Sequence, residues 1–411
     1  MKKARVALID GVRTPFCRAN GAFKDLKAKD LGAIVVRELL YRIPVAKDEI
    51  DELIFGNVIQ PPDDTNLARI IAVMGGLPIH CPAFTVNRNC ASGMEAIVTG
   101  SNQILLGKSK IVIAGGVESM SNFSVSFPAK MRDFLRNWQK SKTFSQKLKT
   151  LFSFRPSFLK PELPQIKDPL CDLEMGQTAE VISREYLVTR EEQDDFAFLS
   201  QKRASSANFS DEIVPVPLPP TYEKFQTLDD GPRANQTREE LAKLKPVFER
   251  YTGQVTAGNS SQVTDGAACV LLMSEEEAQK RGLVPLGYIV DAVSVALEPS
   301  RMGLGPALAV PKLLEKTGLK LKDIDLFEIN EAFAAQIVAL EKAFAQTLGT
   351  LDRDKLNVNG GAVALGHPVG ASGTRIILTL LKELKKRKKN KGIATLCVGG
   401  GQGEAVLVEV A

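Results

Sequence analysis

The feature that most constrains how this chain can fold is an order of elements that occurs twice. Ala91-Ser92-Gly93 opens a helical run that leads to a basic turn, an apolar strand over Ile111–Ala114 and Gly115-Gly116. Ala371-Ser372-Gly373 opens a second helical run over Arg375–Leu384, again followed by a basic turn, a strand over Ile393–Val398 and Gly399-Gly400-Gly401. Three identical residues align weakly by themselves, and it is the shared order around them that argues for a duplicated unit. A pseudo-symmetric fold of this kind brings two helix N-termini toward a shared centre. There the copies differ, because Cys90 falls opposite Gly370.

Around these anchors, strand and helix signals alternate. The apolar spacing predicts strands at Val6–Ile9, Glu52–Phe55, Ala83–Val86 and Lys110–Ala114, and helices at Leu31–Leu40, Leu67–Met74 and from about Ser92 to Leu106. Alternation of this sort predicts an α/β fold with a mostly parallel sheet covered by helices. Residues 121–250 break the rhythm with proline pairs, charges and irregular spacing, and read as an inserted loop-like domain. The expected organisation is an N-terminal half from residues 1–120 with 251–280, the insertion at 121–250, and a C-terminal half over 281–411. A chain of 411 residues is long for one core, which suits such a division.

Six cysteines stand without paired spacing, and no CxxC occurs. That argues against a zinc ribbon or a disulfide framework, predicts no bound metal, and suits a reducing compartment. The N-terminal apolar run stops at Asp10, too soon for a signal peptide, and no stretch reaches the length of a membrane span, so a cytoplasmic protein is expected. A net charge of +5 gives no reason to expect nucleic acid.

Four segments carry chemistry. Cys90 sits between a strand and a helix start, where the helix dipole and free N–H groups favour a thiolate, so a lowered pKa and a nucleophilic sulfur are expected. The alternative is a small residue filling the core. Asn330-Glu331-Ala332-Phe333 follows a strand and suits the lip of a site. His367, one of only two histidines, lies in a glycine-rich strand-to-helix turn, where a neutral imidazole can take a proton from a thiol. His80 lacks such a setting and reads as structural. Cys397 precedes glycines whose N–H groups can approach a substrate closely.

Asn-Cys-Ala-Ser-Gly, Asn-Glu-Ala-Phe, Gly-His-Pro-x-Gly-Ala-Ser-Gly and Cys-x-Gly-Gly-Gly-x-Gly, in this order, resemble the four motifs of the thiolase family. Val12-Arg13-Thr14-Pro15-Phe16, Met175–Glu180 and Thr256–Ser261 match as well, so the resemblance covers essentially the whole chain. It implies duplicated α/β halves with central helices between mixed sheets. It also implies thiolytic cleavage of 3-ketoacyl-CoA by CoA in fatty-acid β-oxidation, with coenzyme A as substrate and no cofactor. Cys90 would carry the acyl group, and Cys397 would protonate the departing carbanion and later deprotonate CoA. His367 would activate Cys90 and donate to the thioester oxygen, helped by a water on Asn330. The N–H groups of Cys90 and Gly399 would form a second oxyanion site. Arg233, Phe248, Ser261, Phe333 and Met175 are the candidates to contact CoA. The resemblance further implies a homodimer or a dimer of dimers. The rival within the family is a biosynthetic acetoacetyl-CoA thiolase, which uses the same residues.

Residues 130–160 hold nine Lys or Arg against the single Asp133. Met131, Phe134, Leu135 and Trp138, then Phe144, Leu148, Leu151 and Phe152, fall at helical spacing, which predicts two amphipathic helices with a basic polar face. They either pack on their own domain or attach peripherally to an anionic membrane surface or an acidic partner. With Phe158–Pro164, the segment resembles the insertion in the β-subunit of the trifunctional fatty-acid oxidation complex, which implies a hydratase/dehydrogenase α-subunit as partner. That subgroup has His where this chain has Asn330, a departure toward the shorter thiolases.

Overall fold

The computed structural model describes residues 5–162 and 167–410; the basic start Met1-Lys2-Lys3 and the Leu163-Pro164 end of the inserted motif lie outside the described residues. Nine strands build the core: β1 (Val6–Arg13), β2 (Glu52–Gly56), β3 (Ala83–Val86), β4 (Ile111–Glu118), β5 (Thr264–Ser274), β6 (Gly287–Ala296), β7 (Leu326–Ile329), β8 (Lys391–Val398) and β9 (Gln402–Glu409). With the short piece Cys17–Arg18 on β5, they form one sheet in the order β7-β8-β9-β6-β1-β5-β4-β2-β3. The main helices are α1 (Ala28–Arg42), α2 (Leu67–Met74), α3 (Ser92–Leu105), α4 (Ala129–Lys140), α5 (Phe144–Phe152), α6 (Met175–Glu185), α7 (Arg190–Ser206), α8 (Gly305–Thr317), α9 (Ala334–Thr347) and α10 (Val369–Arg387).

The duplication is visible in the strand order. From the β1–β6 junction outward, one half runs β1-β5-β4-β2-β3 and the other β6-β9-β8-β7, with a parallel bridge from Phe327 to Leu356 where a match for β3 would stand. The junction is antiparallel, pairing Val6 with Ile289, Ala7 with Tyr288 and Leu8 with Gly287.

The expectation of a mostly parallel sheet is corrected. Only β2–β3, β2–β4 and β7–β8 are parallel, while β4–β5, β5–β1, β1–β6, β6–β9 and β9–β8 are antiparallel. Strands buried on both faces are apolar throughout, and such runs look alike in either direction. In β1, Val6 and Leu8 pack toward α3 and α10, whereas Ala7 and Ile9 pack toward α1 and α2. On the outer face of the second half, α8 and α9 fill the equivalent layer.

The repeated Ala-Ser-Gly has a packing origin. A Cβ on Gly93 would stand 2.7 Å from the Gly370 carbonyl oxygen, and one on Gly373 would stand 2.4 Å from the Met94 nitrogen. Gly116 in β4 faces the same Gly370 oxygen, at 1.9 Å from a hypothetical Cβ. Side chains at these places would push the central helices apart, so the crossing of α3 with α10 needs its glycines. Strand β4 also runs through Gly115-Gly116 to Glu118 instead of ending at them, because β5 pairs with it along that length.

The insertion is more ordered than its spacing predicts, since it contains α6 and α7. Helix α7 is capped by Thr189, whose hydroxyl accepts the Glu192 N–H. It buries Gln193, Asp194, Ser200 and Gln201 beside Phe196, Ala197 and Ala204, and a face so mixed gives a weak apolar period to read. Buried Arg13 ties the insertion to β1 through Glu212 and Asp229, each at 2.6 Å. Helices α4 and α5 form as predicted, yet no side chain of either is buried. Phe134 packs on Trp138 and Phe154 within this hairpin. Among the described residues, no helix is long and apolar enough to cross a membrane.

Candidate active site

A cavity of about 1230 Å³ opens where the two halves and the insertion meet. Cys90, His367 and Gly399 reach it from different parts of the chain, together with Met175, Phe248, Ser261 and Phe333. Cys397 is fully buried in a cluster with Phe333, Met302, Met175 and Phe248, all of which line the cavity. Arg233 stands apart. It is exposed and outside the cavity wall, on a segment held by its own N–H to Gln201 and by the close approach of Gly231 to the Ala364 carbonyl. His80 is exposed and is not part of the cavity lining.

Cys90 follows β3 through a tight turn in which Asn89 has φ of 43°. Helix α3 starts at Ser92, two residues later, so the thiol sits ahead of the first turn rather than on it. The lowered pKa expected from the sequence is corrected: burial is the largest influence and raises the thiol above its ordinary value. The N–H groups of Gly399 and of Cys90 itself act the other way, favouring the thiolate, while the Glu118 charge adds to the rise. Desolvation outweighs two N–H donors here.

His367 is buried, and its pKa is pushed down to about 4 by burial and then by Arg375. It is therefore neutral near pH 7. Its hydrogen bonds assign the tautomer. The Ser372 hydroxyl lies 3.1 Å from the Pro368 carbonyl and 2.6 Å from Nδ1; we assign its proton to the carbonyl, which puts the imidazole proton on Nδ1. Nε2 is left as an acceptor, 3.5 Å from the Asn330 amide nitrogen. The Asn330 carbonyl oxygen is buried with no hydrogen-bond partner, a free acceptor beside the imidazole. Cys397 is raised strongly, by burial first and by Cys90 second, and rests as a thiol.

A second layer holds these groups. Glu331 accepts from Ser200 at 2.6 Å, Asn357 at 2.8 Å and the Val363 N–H at 3.1 Å, joining the Asn330 segment to the strand-free stretch before His367. Glu118, pushed up to about 7 by burial, accepts from Asn57 and from the N–H groups of Val58, Ile59 and Gly370. Ser372 lay inside a recognised motif without a role, and Glu118 gave no signal beyond its position after an apolar strand. Among the described residues, no group of three or more His, Cys, Asp or Glu side chains is placed to hold a metal ion.

The arrangement sets a thiol, a neutral imidazole and backbone N–H groups around one cavity, with a second thiol, Cys397, buried behind its wall. Two family models match nearly the whole chain: "Thiolase, N-terminal domain" over residues 6–276 and "Thiolase, C-terminal domain" over residues 283–410. A protein of Pectobacterium carotovorum subsp. carotovorum (strain PC1) named 3-ketoacyl-CoA thiolase is 40% identical over 423 residues, covering 99% of this chain and 97% of the relative. The crystal structure of Bacillus anthracis acetyl-CoA acetyltransferase matches with a TM-score of 0.88 at 40% identity, covering 100% of this chain and 99% of that one. Human mitochondrial 3-ketoacyl-CoA thiolase in complex with CoA matches with a TM-score of 0.86 at 36% identity, covering 99% of this chain and 98% of that one.

Proposed function

The chain belongs to the thiolase family of acyltransferases, and from that premise we propose that it is a 3-ketoacyl-CoA thiolase of fatty-acid β-oxidation, working through an acyl-Cys90 intermediate. The observation that carries the proposal is that Cys90, His367 and Gly399, from three separate parts of the chain, line one cavity.

The Cys90 sulfur attacks the keto carbon of the substrate as its proton passes to His367 Nε2. The N–H groups of Cys90 and Gly399 stabilise the resulting oxyanion. Cleavage of the Cα–Cβ bond leaves the acyl group on sulfur and an acetyl-CoA carbanion, whose charge spreads onto the thioester oxygen. The newly formed Nε2–H of His367 donates to that oxygen, and the free carbonyl oxygen of Asn330 suits it to hold a bridging water. Cys397, resting as a thiol, gives the proton that completes acetyl-CoA. In the second half, the Cys397 thiolate takes the proton of incoming CoA. The CoA sulfur then attacks the acyl-Cys90 carbonyl, and the Cys90 sulfur leaves and regains its proton from His367. Phe248 and Phe333 meet edge to face at 6.0 Å and, with Met175 and Ser261, give the pantetheine arm an apolar wall.

Mass spectrometry of the protein with acetoacetyl-CoA tests this, with acyl mass expected on Cys90 and none on Cys90→Ala. An acylated Cys90→Ala protein overturns the assignment. Turnover of 3-ketoacyl-CoAs of increasing length separates the rival biosynthetic acetoacetyl-CoA reading, which predicts activity confined to four carbons. The half-exposed edge strand β3 offers unpaired backbone to a second copy, in keeping with a homodimer or dimer of dimers. On α4 and α5, Phe144 and Phe152 are 83% and 75% exposed, which supports peripheral attachment to an anionic membrane or a hydratase/dehydrogenase subunit over packing on the chain's own domain.

A further inference from the structure

The thiolase reading gives the Gly399 N–H a share in stabilising charge at Cys90, and the present inference rests on it. A donor inside three successive glycines needs something to hold it. Gly400 and Gly401 have φ of 83° and 70°, a backbone open to many conformations. Packing does not hold Gly399, since an added Cβ there would meet nothing nearer than 3.7 Å.

Side chains hold it instead. Both polar groups of the peptide joining Gly399 to Gly400 are bonded, each to a different part of the chain. The Gly399 carbonyl accepts from Asn89 Nδ2 at 2.8 Å, and the Gly400 N–H donates to Asp168 Oδ2 at 2.7 Å. On the other side of Gly399, Val398 is paired with Gln402 in the β8–β9 ladder. The glycine is thus clamped before and after, and its N–H favours the thiolate form of Cys90. Asn89 comes from the nucleophile turn, while Asp168 comes from the insertion and is only 2% exposed. The other Asp168 oxygen accepts the Leu170 N–H at 2.9 Å, and its carbonyl accepts the Asp172 N–H, also at 2.9 Å. One carboxylate therefore shapes the cavity wall at Leu170 and anchors the glycine turn.

We propose that Asn89 and Asp168 are positioning residues that fix the Gly399 N–H against the Cys90 sulfur, so that the inserted segment takes part in building the oxyanion site. Neither acts on substrate to do this; both work through one peptide bond. Two side chains that act through one peptide are coupled, and their effects are not independent.

The test is steady-state thiolysis of acetoacetyl-CoA by the full chain and by Asn89→Ala, Asp168→Ala, Asp168→Asn and the double Asn89→Ala/Asp168→Ala variant. Loss of an oxyanion donor costs about 10²–10³ in kcat, so misplacing one is expected to cost about tenfold to a hundredfold in each alanine variant. The KM for CoA should stay within about twofold, and the double variant should fall little below the worse single one. Asp168→Asn keeps the shape but leaves one good acceptor for two N–H donors, and should fall in between. Three results overturn the proposal: kcat within about twofold of wild type in Asp168→Ala, losses that multiply in the double variant, or a kcat loss that tracks a lowered Tm. If the wild-type protein takes no acyl group on Cys90, the thiolase mechanism itself fails, and that outcome is separate from the other three.

Discussion

Ser92 and Ser372 occupy the same place in the two halves, one residue after the alanine of each Ala-Ser-Gly. The Ser92 hydroxyl donates to the Asn89 carbonyl at 2.7 Å and accepts the Arg88 N–H at 2.9 Å, closing its own turn. The Ser372 hydroxyl also donates back, to Pro368, but spends its lone pair on His367. Cys90 and Gly370 diverge in the same way. Cys90 faces the cavity, whereas a Cβ at Gly370 would lie 2.4 Å from the Val117 carbonyl oxygen. The helix frames differ to match, since α10 includes the Gly370 position in its first turn while α3 begins beyond Cys90. Duplication supplies two equivalent turns, and chemistry enters the copy with open space while packing claims the other.

Making the copies alike should break this division unequally. Cys90→Gly imitates the second half and should lower turnover by at least about 10⁴-fold, with an unchanged circular dichroism spectrum. Residual thiolysis above a hundredth of wild type would deny Cys90 its role. Gly370→Ala should destabilise by about 1–3 kcal/mol in urea unfolding, because the Val117 and Gly56 backbones leave no room. Ser372→Ala frees the His367 tautomer and should cost about tenfold in kcat, whereas Ser92→Ala should cost about 1 kcal/mol of stability and little rate. Equal kinetic effects from both serines would show that position alone decides.

The last test lies in pH. His367 holds no proton in the folded chain until about pH 4, while an unfolded imidazole takes one near 6.5. Between those values the unfolded state binds more protons, so this contribution to stability is present above about 6.5 and fades as the pH falls toward 4. Glu118 runs the other way, since the folded carboxyl keeps its proton to about 7 and its contribution is lost as the pH rises. In NMR spectra the His367 ring should stay neutral down to about pH 5, and a midpoint near 6.5 would mean a solvated imidazole.

Much of this was legible in the residues. Helix α2 is Leu67–Met74, as its apolar spacing predicts, and the paired Ala-Ser-Gly runs mark the two crossing helices. Strand direction was not legible, because buried strands lose the alternation that betrays an antiparallel pair. The direction of the Cys90 shift was misjudged because local sequence shows the donors around a thiol but not how deeply the fold buries it. Asp168 stood in an irregular stretch with no motif of its own, and its partner Gly400 is far along the chain. A long-range bond between a carboxylate and a backbone N–H leaves no mark on composition or period.

The position of β5 also sets a timetable for synthesis. Its neighbours β1 and β4 end at Arg13 and Glu118, yet β5 begins at Thr264 and lies between them. At about 5–20 residues per second, a ribosome holds the first half unfinished for on the order of ten seconds, with the facing edges of β1 and β4 unpaired. The second half waits less, because β9 follows β8 after only the glycine turn, although β6 ends at Ala296 and its partner β9 begins only at Gln402. Edges left open that long invite pairing with other chains. The nascent first half is therefore where a chaperone has most to cover, and slowing translation within the insertion should lower the soluble yield more than slowing it after Gly287.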